Sequence, residues 1–353
     1  MASQETRLQQ AKKKVRALLE ALENRNSEPF GDVLSRHVTD GFHWRGLHPF
    51  HEQTGASAVA DVFWNPLAAS FKSLSRREDI FLAGFNNAGE QDLNAAVVDT
   101  EDVWVASMGH FFGLFDEPWL DIPATRRLSS LRYAEFYRVV DDEIIEGSMF
   151  FDLLALMQQA GCYPLAPETG HTFMYPGPKT HDGILLDPQI AAEGKTTMAL
   201  INRMVADLSE LNVSGDDRCP PELLARCWSE NMLWYGPAGI GATYTIERYQ
   251  QQHQYPFRTG LGDKTFNGHV CRIAEGNYGC FFGWPNLSNQ ALGGFLGLPA
   301  SRDRADMRVV DMYRREGDKL VENWVLIDIP HYLAQQGLDV LARMRQLSGL
   351  EVV

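Results

Sequence analysis

Two pairs of side chains place a carboxylate two residues before a phenol, within stretches of strand-like composition. Glu135 precedes Tyr137 in one stretch, and Asp311 precedes Tyr313 in the other. Alternate residues of a strand lie on the same face, so each acid shares a largely apolar face with its tyrosine. Such a pair could act as a general base and an oxyanion donor. The competing interpretation is an ion pair with a nearby arginine or with a partner subunit.

A second pair of acids ends the strand-like run that follows each stretch. Asp152 shares its face with Phe150, and Asp328 shares its face with Trp324 and Leu326. An acid that ends an apolar face could be a base, because burial raises its pKa toward neutrality. It could instead cap the following helix, since aspartate is favoured immediately before a first helical turn. The sequence leaves both roles open.

Histidine supplies a third kind of candidate. His110 could converge with the acids of the first stretch on one ligand and relay a proton, and the competing interpretation, which is favoured, is a histidine of the surface or the core. His43, His48 and His51 lack the i, i+4 spacing that places two metal ligands on one helix face, so no metal is predicted. No phosphate loop, dinucleotide-binding glycine pattern or serine-nucleophile motif occurs either.

The stretches that carry these acids are copies of each other. Residues 122–161 recur as residues 298–337 at one constant offset, without a gap. Two shorter matches lie upstream: Trp44-x-Gly46 with Trp234-x-Gly236, and residues 109–113 with residues 279–283. The chain is therefore predicted to be a tandem duplication.

The predicted elements follow the same order in both copies. Helical periodicity covers residues 5–22 and 198–211, and shorter helices are predicted at residues 29–37 and 221–231. Strand composition follows at residues 102–107, 131–140, 144–151, 270–273, 307–314 and 320–327. Helices followed by strands are typical of the α+β class. Residues 163–194 are rich in proline and glycine and are predicted to link domains at 1–162 and 195–353.

Composition excludes several classes of protein. Lysine and arginine number 32 against 46 acidic residues, a net charge of −14 that disfavours a nucleic-acid partner. The five cysteines form no C-x-x-C pair, which favours reduced thiols. The N-terminus lacks the apolar core of a signal peptide, and no run of ~20 apolar residues occurs, so no membrane is predicted and the cytoplasm is the expected location.

The second copy resembles SnoaL-like polyketide cyclases, a branch of the nuclear-transport-factor-2-like superfamily. That family shows an R-x-x-D-G-K-I-x-E-x-W-x-x-x-D strand pair followed by a helix that ends in Q-L-G. This chain has Arg314, Lys319, Glu322, Trp324 and Asp328 at the matching positions. Its turn reads Gly-Asp-Lys, the reverse of the family's Asp-Gly order. The first copy departs further, because Ser148 stands where the family has tryptophan.

The resemblance implies a fold and an activity. The expected fold is two tandem cone-shaped domains, each with N-terminal helices packed on a curved antiparallel β-sheet. The expected reaction is ring closure of an apolar, polyketide-like carbonyl compound by intramolecular aldol condensation, or a related isomerisation, with no metal or cofactor. By motif position the family's base corresponds to Asp328, and to Asp152 in the first copy. The Glu135 and Asp311 pairs compete for that role, as in the ketosteroid isomerase version of the cone.

Aromatic side chains are expected to line each cone and bind the ligand. The candidates are Trp44, Trp234, Phe112, Phe282 and Trp324, together with Tyr137 and Tyr313. The first cone is expected to keep the larger and more polar pocket, and the second to be partly a structural partner.

Other functions remain open. A non-enzymatic protein that binds a small apolar ligand in the cone is the main alternative. Limonene-epoxide-hydrolase-like chemistry is disfavoured, because no Asp-Arg-Asp set is evident. Single-copy members of the family dimerise through a sheet face, so the resemblance implies that the two halves make this contact within one chain. Association of two such chains into a homodimer is a further assembly that this resemblance allows.

Overall fold

Helix α1 (Gln4–Glu23) opens the chain and begins at a capped end. The hydroxyl of Ser3 accepts the backbone N–H of Thr6, which satisfies one of the free donors of the first turn. The apolar residues at helical spacing are buried, including Val15, Leu18 and Leu22. The helix predicted over residues 5–22 is therefore confirmed. This computed structural model describes residues 3–88, 102–214 and 219–349.

The first sheet has six strands in the order β2-β1-β6-β5-β4-β3. The strands are β1 (Val38–Gly46), β2 (His51–Thr54), β3 (Phe71–Phe85), β4 (Val103–Phe115), β5 (Leu128–Val140) and β6 (Glu143–Phe151). Helices α2 (Phe30–Ser35), α3 (Ala56–Val59) and α4 (Asn65–Ser70) join α1 against this sheet, and α5 (Leu153–Gln159) follows it. Neighbouring strands are antiparallel except β1 and β6, which run parallel.

The second sheet repeats this plan. Its strands are β7 (Trp228–Tyr235), β8 (Ala242–Tyr244), β9 (Leu261–Phe266), β10 (Cys271–Glu275), β11 (Tyr278–Ala291), β12 (Arg304–Glu316) and β13 (Lys319–Ile327). Their order, β8-β7-β13-β12-β11, matches the first sheet, and β9 and β10 together take the place of β3. The α+β fold with two tandem domains is confirmed.

The helices of the second half also repeat those of the first, with changed lengths. They are α6 (Ala191–Ser214), α7 (Pro221–Leu224), α8 (Thr245–Tyr249), α9 (Tyr255–Gly260), α10 (Ile329–Ala334) and α11 (Val340–Leu347). The helix predicted over residues 221–231 is too long, because β7 begins at Trp228. No helix in the described ranges combines the length and apolar character needed to cross a bilayer.

The strand register corrects one of the sequence matches. Gly109 lies opposite Tyr133, whereas Gly279 lies opposite Tyr313, and the repeat pairs Tyr313 with Tyr137. The structural counterpart of Gly109 is therefore Gly283, not Gly279. The match of residues 109–113 with residues 279–283 is wrong by four positions, because each segment has glycines four residues apart.

The other short match is correct. Trp44 of β1 lies opposite Gly147 of β6, and Trp234 of β7 lies opposite Asn323 of β13. Gly147 and Asn323 are themselves matched by the repeat, so the two tryptophans occupy equivalent places in the two sheets.

Each sheet has an inner face toward its own helices and an outer face toward the other half. Phe282 lies on the outer face of β11, with ring-centroid distances of 5.6 Å to Trp104, 4.7 Å to Phe136 and 5.5 Å to Phe150. The outer faces of the two sheets therefore pack on each other, and Phe282 contributes to that contact and not to a cone interior.

Candidate functional site

The inner face of the first sheet, with α1 to α4 over it, forms the first cone. Its central strand β5 presents Glu135, which is fully buried, and Tyr137, whose hydroxyl donates to Glu135 Oε2 at 2.8 Å. Arg76 of β3 forms an ion pair with the same carboxylate. Both interpretations of this acid are therefore present together: the phenol beside it and the arginine that neutralises it.

Further polar groups extend this site along the inner face. The guanidinium of Arg76 lies 4.8 Å from the ring centroids of both Phe111 and Tyr133. Ser107 donates to Glu78 at 2.6 Å and lies 3.2 Å from the hydroxyl of Tyr133. Burial raises the pKa of Glu135, and Arg76 offsets part of that rise. The first cone thus contains a buried network in which both oxygens of Glu135 are already occupied.

A cavity of about 300 Å³ opens at the mouth of the first cone. Phe30, Trp64, Phe71, Arg76 and Phe111 are among its lining residues. The arginine therefore lies between this cavity and Glu135.

The inner face of the second sheet, with α6 to α9, forms the second cone and carries Asp311 and Tyr313. The amide of Asn323 donates to Asp311 Oδ1 at 3.2 Å. Asp311 keeps part of its surface exposed. Within the described ranges no cationic side chain forms an ion pair with it. Burial raises the pKa of Asp311 to about 6, and burial with the nearby Asp311 charge raises that of Tyr313.

The second cone has a different residue at the position equivalent to Arg76. Arg76 pairs with Phe111 across strands β3 and β4, and in the second sheet the equivalent pair is Phe266 with Leu287. Phe111 faces Leu131 and Leu287 faces Met307, which the repeat matches to each other. Phenylalanine therefore replaces the arginine that neutralises the acid of the first cone.

Aromatic rings surround the acid of the second cone. Phe281 lies directly opposite Asp311 across the two strands. The His269 ring stacks on Phe281 at 4.0 Å, and Trp234 stacks on His253 at 4.2 Å. These rings give the carboxylate a largely apolar setting, which disfavours its charged form.

These two histidines predict a loss of stability in acid. Burial lowers the pKa of His253 and of His269 to about 3, from an ordinary value of 6.5. Below pH 6.5 these two histidines therefore bind protons in the unfolded chain but not in the folded chain, and the free energy of unfolding falls as the pH drops. We expect a loss of roughly 1 kcal/mol per histidine between pH 7.5 and 5.5, measured by urea unfolding. In His253→Phe this pH dependence should become shallower; an unchanged slope would contradict the assignment.

Asp152 and Asp328 lie on the outer faces, away from both cones. Asp152 Oδ1 accepts the N–H of Ala155 at 3.1 Å, and Asp328 Oδ1 accepts the N–H of His331 at 3.2 Å. Each aspartate therefore caps the helix that follows it, α5 or α10. The geometry favours the helix-cap interpretation over a catalytic one. Burial raises the pKa of Asp328 to about 6, but its side chain has no exposed surface.

The same two carboxylates also join the halves. Asp152 pairs with Arg132 at 3.1 Å and accepts the N–H of Ala238, from the second half, at 2.9 Å. Asp328 pairs in turn with Arg308 at 3.4 Å and accepts the N–H of His48, from the first half, at 3.0 Å. The arrangement has approximate two-fold symmetry.

The other predicted site residues divide between core and outer face. Trp44 packs on Phe63 at 5.6 Å within the first core. Trp324 donates its indole N–H to the carbonyl of Pro176 at 3.0 Å, on the outer face. His110 and Phe112 also lie on the outer face of β4. The structure therefore brings together Glu135 with Tyr137, and Asp311 with Tyr313. It does not bring His110, Phe112, Phe282 or Trp324 to those pairs.

Several residues of the two sites are not among the candidates predicted from the sequence: Arg76, Tyr133, Ser107, Asn323, His253 and His269. Arg76 and Ser107 reach Glu135 and Tyr133 through the register of β3 and β4, which no local pattern displays. Asn323 could have been found, because it shares the inner face of β13. In the described part of the chain, no cluster of three or more His, Cys, Asp or Glu side chains is arranged to hold a metal.

Comparison with known proteins finds a family whose model matches part of the chain. The family model of SnoaL-like polyketide cyclase matches residues 65–160, which include Arg76, Glu135 and Tyr137. No curated protein matches this sequence.

Three solved structures that resemble the chain each cover less than half of it. TsrD from Streptomyces laurentii is 19% identical over 39% of this chain and 96% of its own, with a TM-score of 0.33. A candidate SnoaL-like polyketide cyclase from Jannaschia sp. CCS1 is 20% identical over 46% of this chain and 99% of its own, with a TM-score of 0.33. A nuclear-transport-factor-2-like protein from Burkholderia thailandensis is 15% identical over 42% of this chain and 95% of its own, with a TM-score of 0.30.

Proposed function

We propose, because residues 65–160 match the family model of SnoaL-like polyketide cyclases, that this chain is an acid–base catalyst of carbon–carbon ring closure or isomerisation. The substrate is an apolar carbonyl compound. The reaction takes place in the second cone, with Asp311 as the base.

The state of Asp311 is the observation that supports this proposal. The residue is not completely enclosed, its carboxylate lies in an aromatic setting with no ion-pair partner in the described ranges, and burial raises the pKa of that carboxylate to about 6. A base with a pKa near the working pH is both deprotonated and strong enough to accept a proton from carbon. Glu135 is less suited, because the cation Arg76 neutralises it. The donors to Asp311 are instead Asn323 and Tyr313, which carry no charge.

The proposed reaction uses groups of this chain alone. Asp311 removes a proton from the carbon next to a carbonyl, and the electron pair passes to the carbonyl oxygen as an enolate. The Tyr313 hydroxyl, which lies beside Asp311, donates to the oxygen that gains charge. For ring closure, the enolate carbon bonds to a second carbonyl carbon, and the new alkoxide takes back the proton from Asp311. For isomerisation, the proton returns to another carbon of the same system.

Exchange of carbon-bound protons tests this proposal without knowledge of the natural substrate. The probe is 2-tetralone in deuterium oxide, followed by mass spectrometry. We expect the protein to accelerate deuterium uptake next to the carbonyl, with a rate that rises as the pH passes through about 6 and Asp311 loses its proton. Binding of the probe without any accelerated exchange at any pH would instead support the non-enzymatic alternative.

The choice of the second cone departs from the expectation that the first is the working half. The first cone does have the richer set of polar groups and a cavity at its mouth. Those polar groups, however, satisfy one another. We therefore assign the first cone a binding or structural part and the second cone the proton transfer.

A further inference from the structure

A cavity of about 410 Å³ lies on the outer face of the first sheet, on the opposite side from the first cone. Strands β4 and β5 form its floor, and the segment of residues 163–175 forms one wall. The proposed reaction uses none of these residues.

His110 is the polar group of this cavity that is free to act. Its side chain is almost completely buried, with an exposed fraction of 6%. Its Nδ1 lies 3.3 Å from Asp79 Oδ2, while Nε2 has no hydrogen-bond partner among the described residues. This is an ion-pair distance without hydrogen-bond geometry, but a carboxylate beside Nδ1 repels a lone pair there, which in the neutral ring favours the proton on Nδ1 and leaves Nε2 as the acceptor.

Two long polar side chains that line the same cavity are already hydrogen-bonded. Arg132 donates to Asp152 and to the backbone carbonyls of Tyr235, Gly236 and Val325. The side-chain amide of Gln159 lies on the backbone of Ser130, as donor to its carbonyl and acceptor from its N–H. Neither side chain is therefore available to a ligand, whereas the buried ring of His110 is.

The walls of the cavity carry large apolar side chains that are exposed to solvent. Four large apolar side chains that line it are exposed: Leu128, Tyr163, Phe173 and Met174. Phe112 adds a ring 5.9 Å from that of His110. Clustered exposed apolar residues around a buried polar group are typical of ligand sites.

We propose that this cavity binds a small apolar molecule that carries one hydroxyl donor, a phenol or an enol, with that hydroxyl on Nε2 of His110. Asp79 is a positioning residue, because it fixes which ring nitrogen accepts. The site is independent of Asp311 and of the proposed reaction.

Two probes that differ only in the donor test this proposal: 2-naphthol and 2-methoxynaphthalene. In the histidine ring ¹⁵N spectrum of the full chain, we expect 2-naphthol to shift one Nε2 resonance, and that resonance to be absent from His110→Phe. The naphthol should bind this site about three- to ten-fold more tightly than the methoxy compound, the ordinary effect of one hydrogen bond.

Three variants separate this site from the cones. Asp79→Asn should reduce the preference for 2-naphthol, because the amide can also donate to Nδ1 and move the ring proton to Nε2. Met174→Glu, at an exposed position, should weaken both probes without unfolding the chain. Asp311→Asn should leave the preference unchanged. A preference that persists in Asp79→Asn, or a shifted resonance that persists in His110→Phe, would overturn the proposal whether or not the chain catalyses exchange.

Discussion

Replacing Asp311 by asparagine is expected to lower the rate of proton removal from carbon by about 10²–10⁴-fold, the usual contribution of a positioned base. Asparagine has nearly the same shape but cannot accept a proton. The free energy of unfolding should stay equal or rise, because a neutral amide costs less to bury than a carboxylate. Deuterium uptake by 2-tetralone measures the rate, and urea unfolding measures the stability.

Glu135→Gln is the matched control for that experiment. It makes the same change at the equivalent position of the first cone, where the acid is ion-paired. We expect it to retain most of the exchange rate. If Glu135→Gln abolished exchange and Asp311→Asn did not, the catalytic cone would be the first. Equal losses from both variants would mean that neither cone works without the other.

Replacing Arg76 by alanine is expected to lower the free energy of unfolding more than the other single substitutions proposed above. Arg76→Ala leaves Glu135 as a buried charge without its ion-pair partner, because no other cation in the described ranges pairs with it. Breaking one partner of a buried ion pair typically costs about 3–5 kcal/mol in free energy of unfolding. Urea unfolding at pH 7 measures the loss. The effect should shrink at lower pH, where Glu135 can take up a proton and become neutral.

The double variant Arg76→Ala, Glu135→Gln distinguishes this cause from lost packing. Glutamine removes the charge that the first substitution leaves unpaired, so the double variant should recover much of the stability. If the double variant were as unstable as the sum of the two single variants, the cost of Arg76→Ala would come from lost contacts with Phe111 and Tyr133.

The fold is largely readable from the sequence, because it depends on local patterns and on the repeat. The Asp141-Asp142 turn and Gly317 have positive φ angles, and each joins two neighbouring antiparallel strands in a hairpin. The sequence did not reveal β1 and β3. Their residues mix polar and apolar side chains, and β1 joins β6 in parallel through a contact far apart along the chain. Such pairings depend on tertiary packing and leave no local signal.

The two sites can be predicted from the sequence only in part, because they also depend on contacts between residues far apart along the chain. Glu135 and Asp311 could be found, because each shares a strand face with its tyrosine. The difference between them could not be found, since it depends on Arg76 in one sheet and Phe266 in the other. Phe282 shows a related limit. The alternation of β11 says that Phe281 and Phe282 face opposite ways, but not which of the two faces the second half of the chain.

The symmetric anchors between the halves impose an order on biosynthesis. When the ribosome has completed α5, Asp152 can already cap that helix, but Ala238 and the carbonyls that bind Arg132 are not yet made. The outer face of the first sheet, with Phe136 and Phe150, then has no partner. The last carbonyl, that of Val325, lies in β13 of the second half, 193 residues after Arg132. The contacts of Arg132 are therefore complete only after residue 325 has been synthesised, so the outer face of the first half is completed together with the second half.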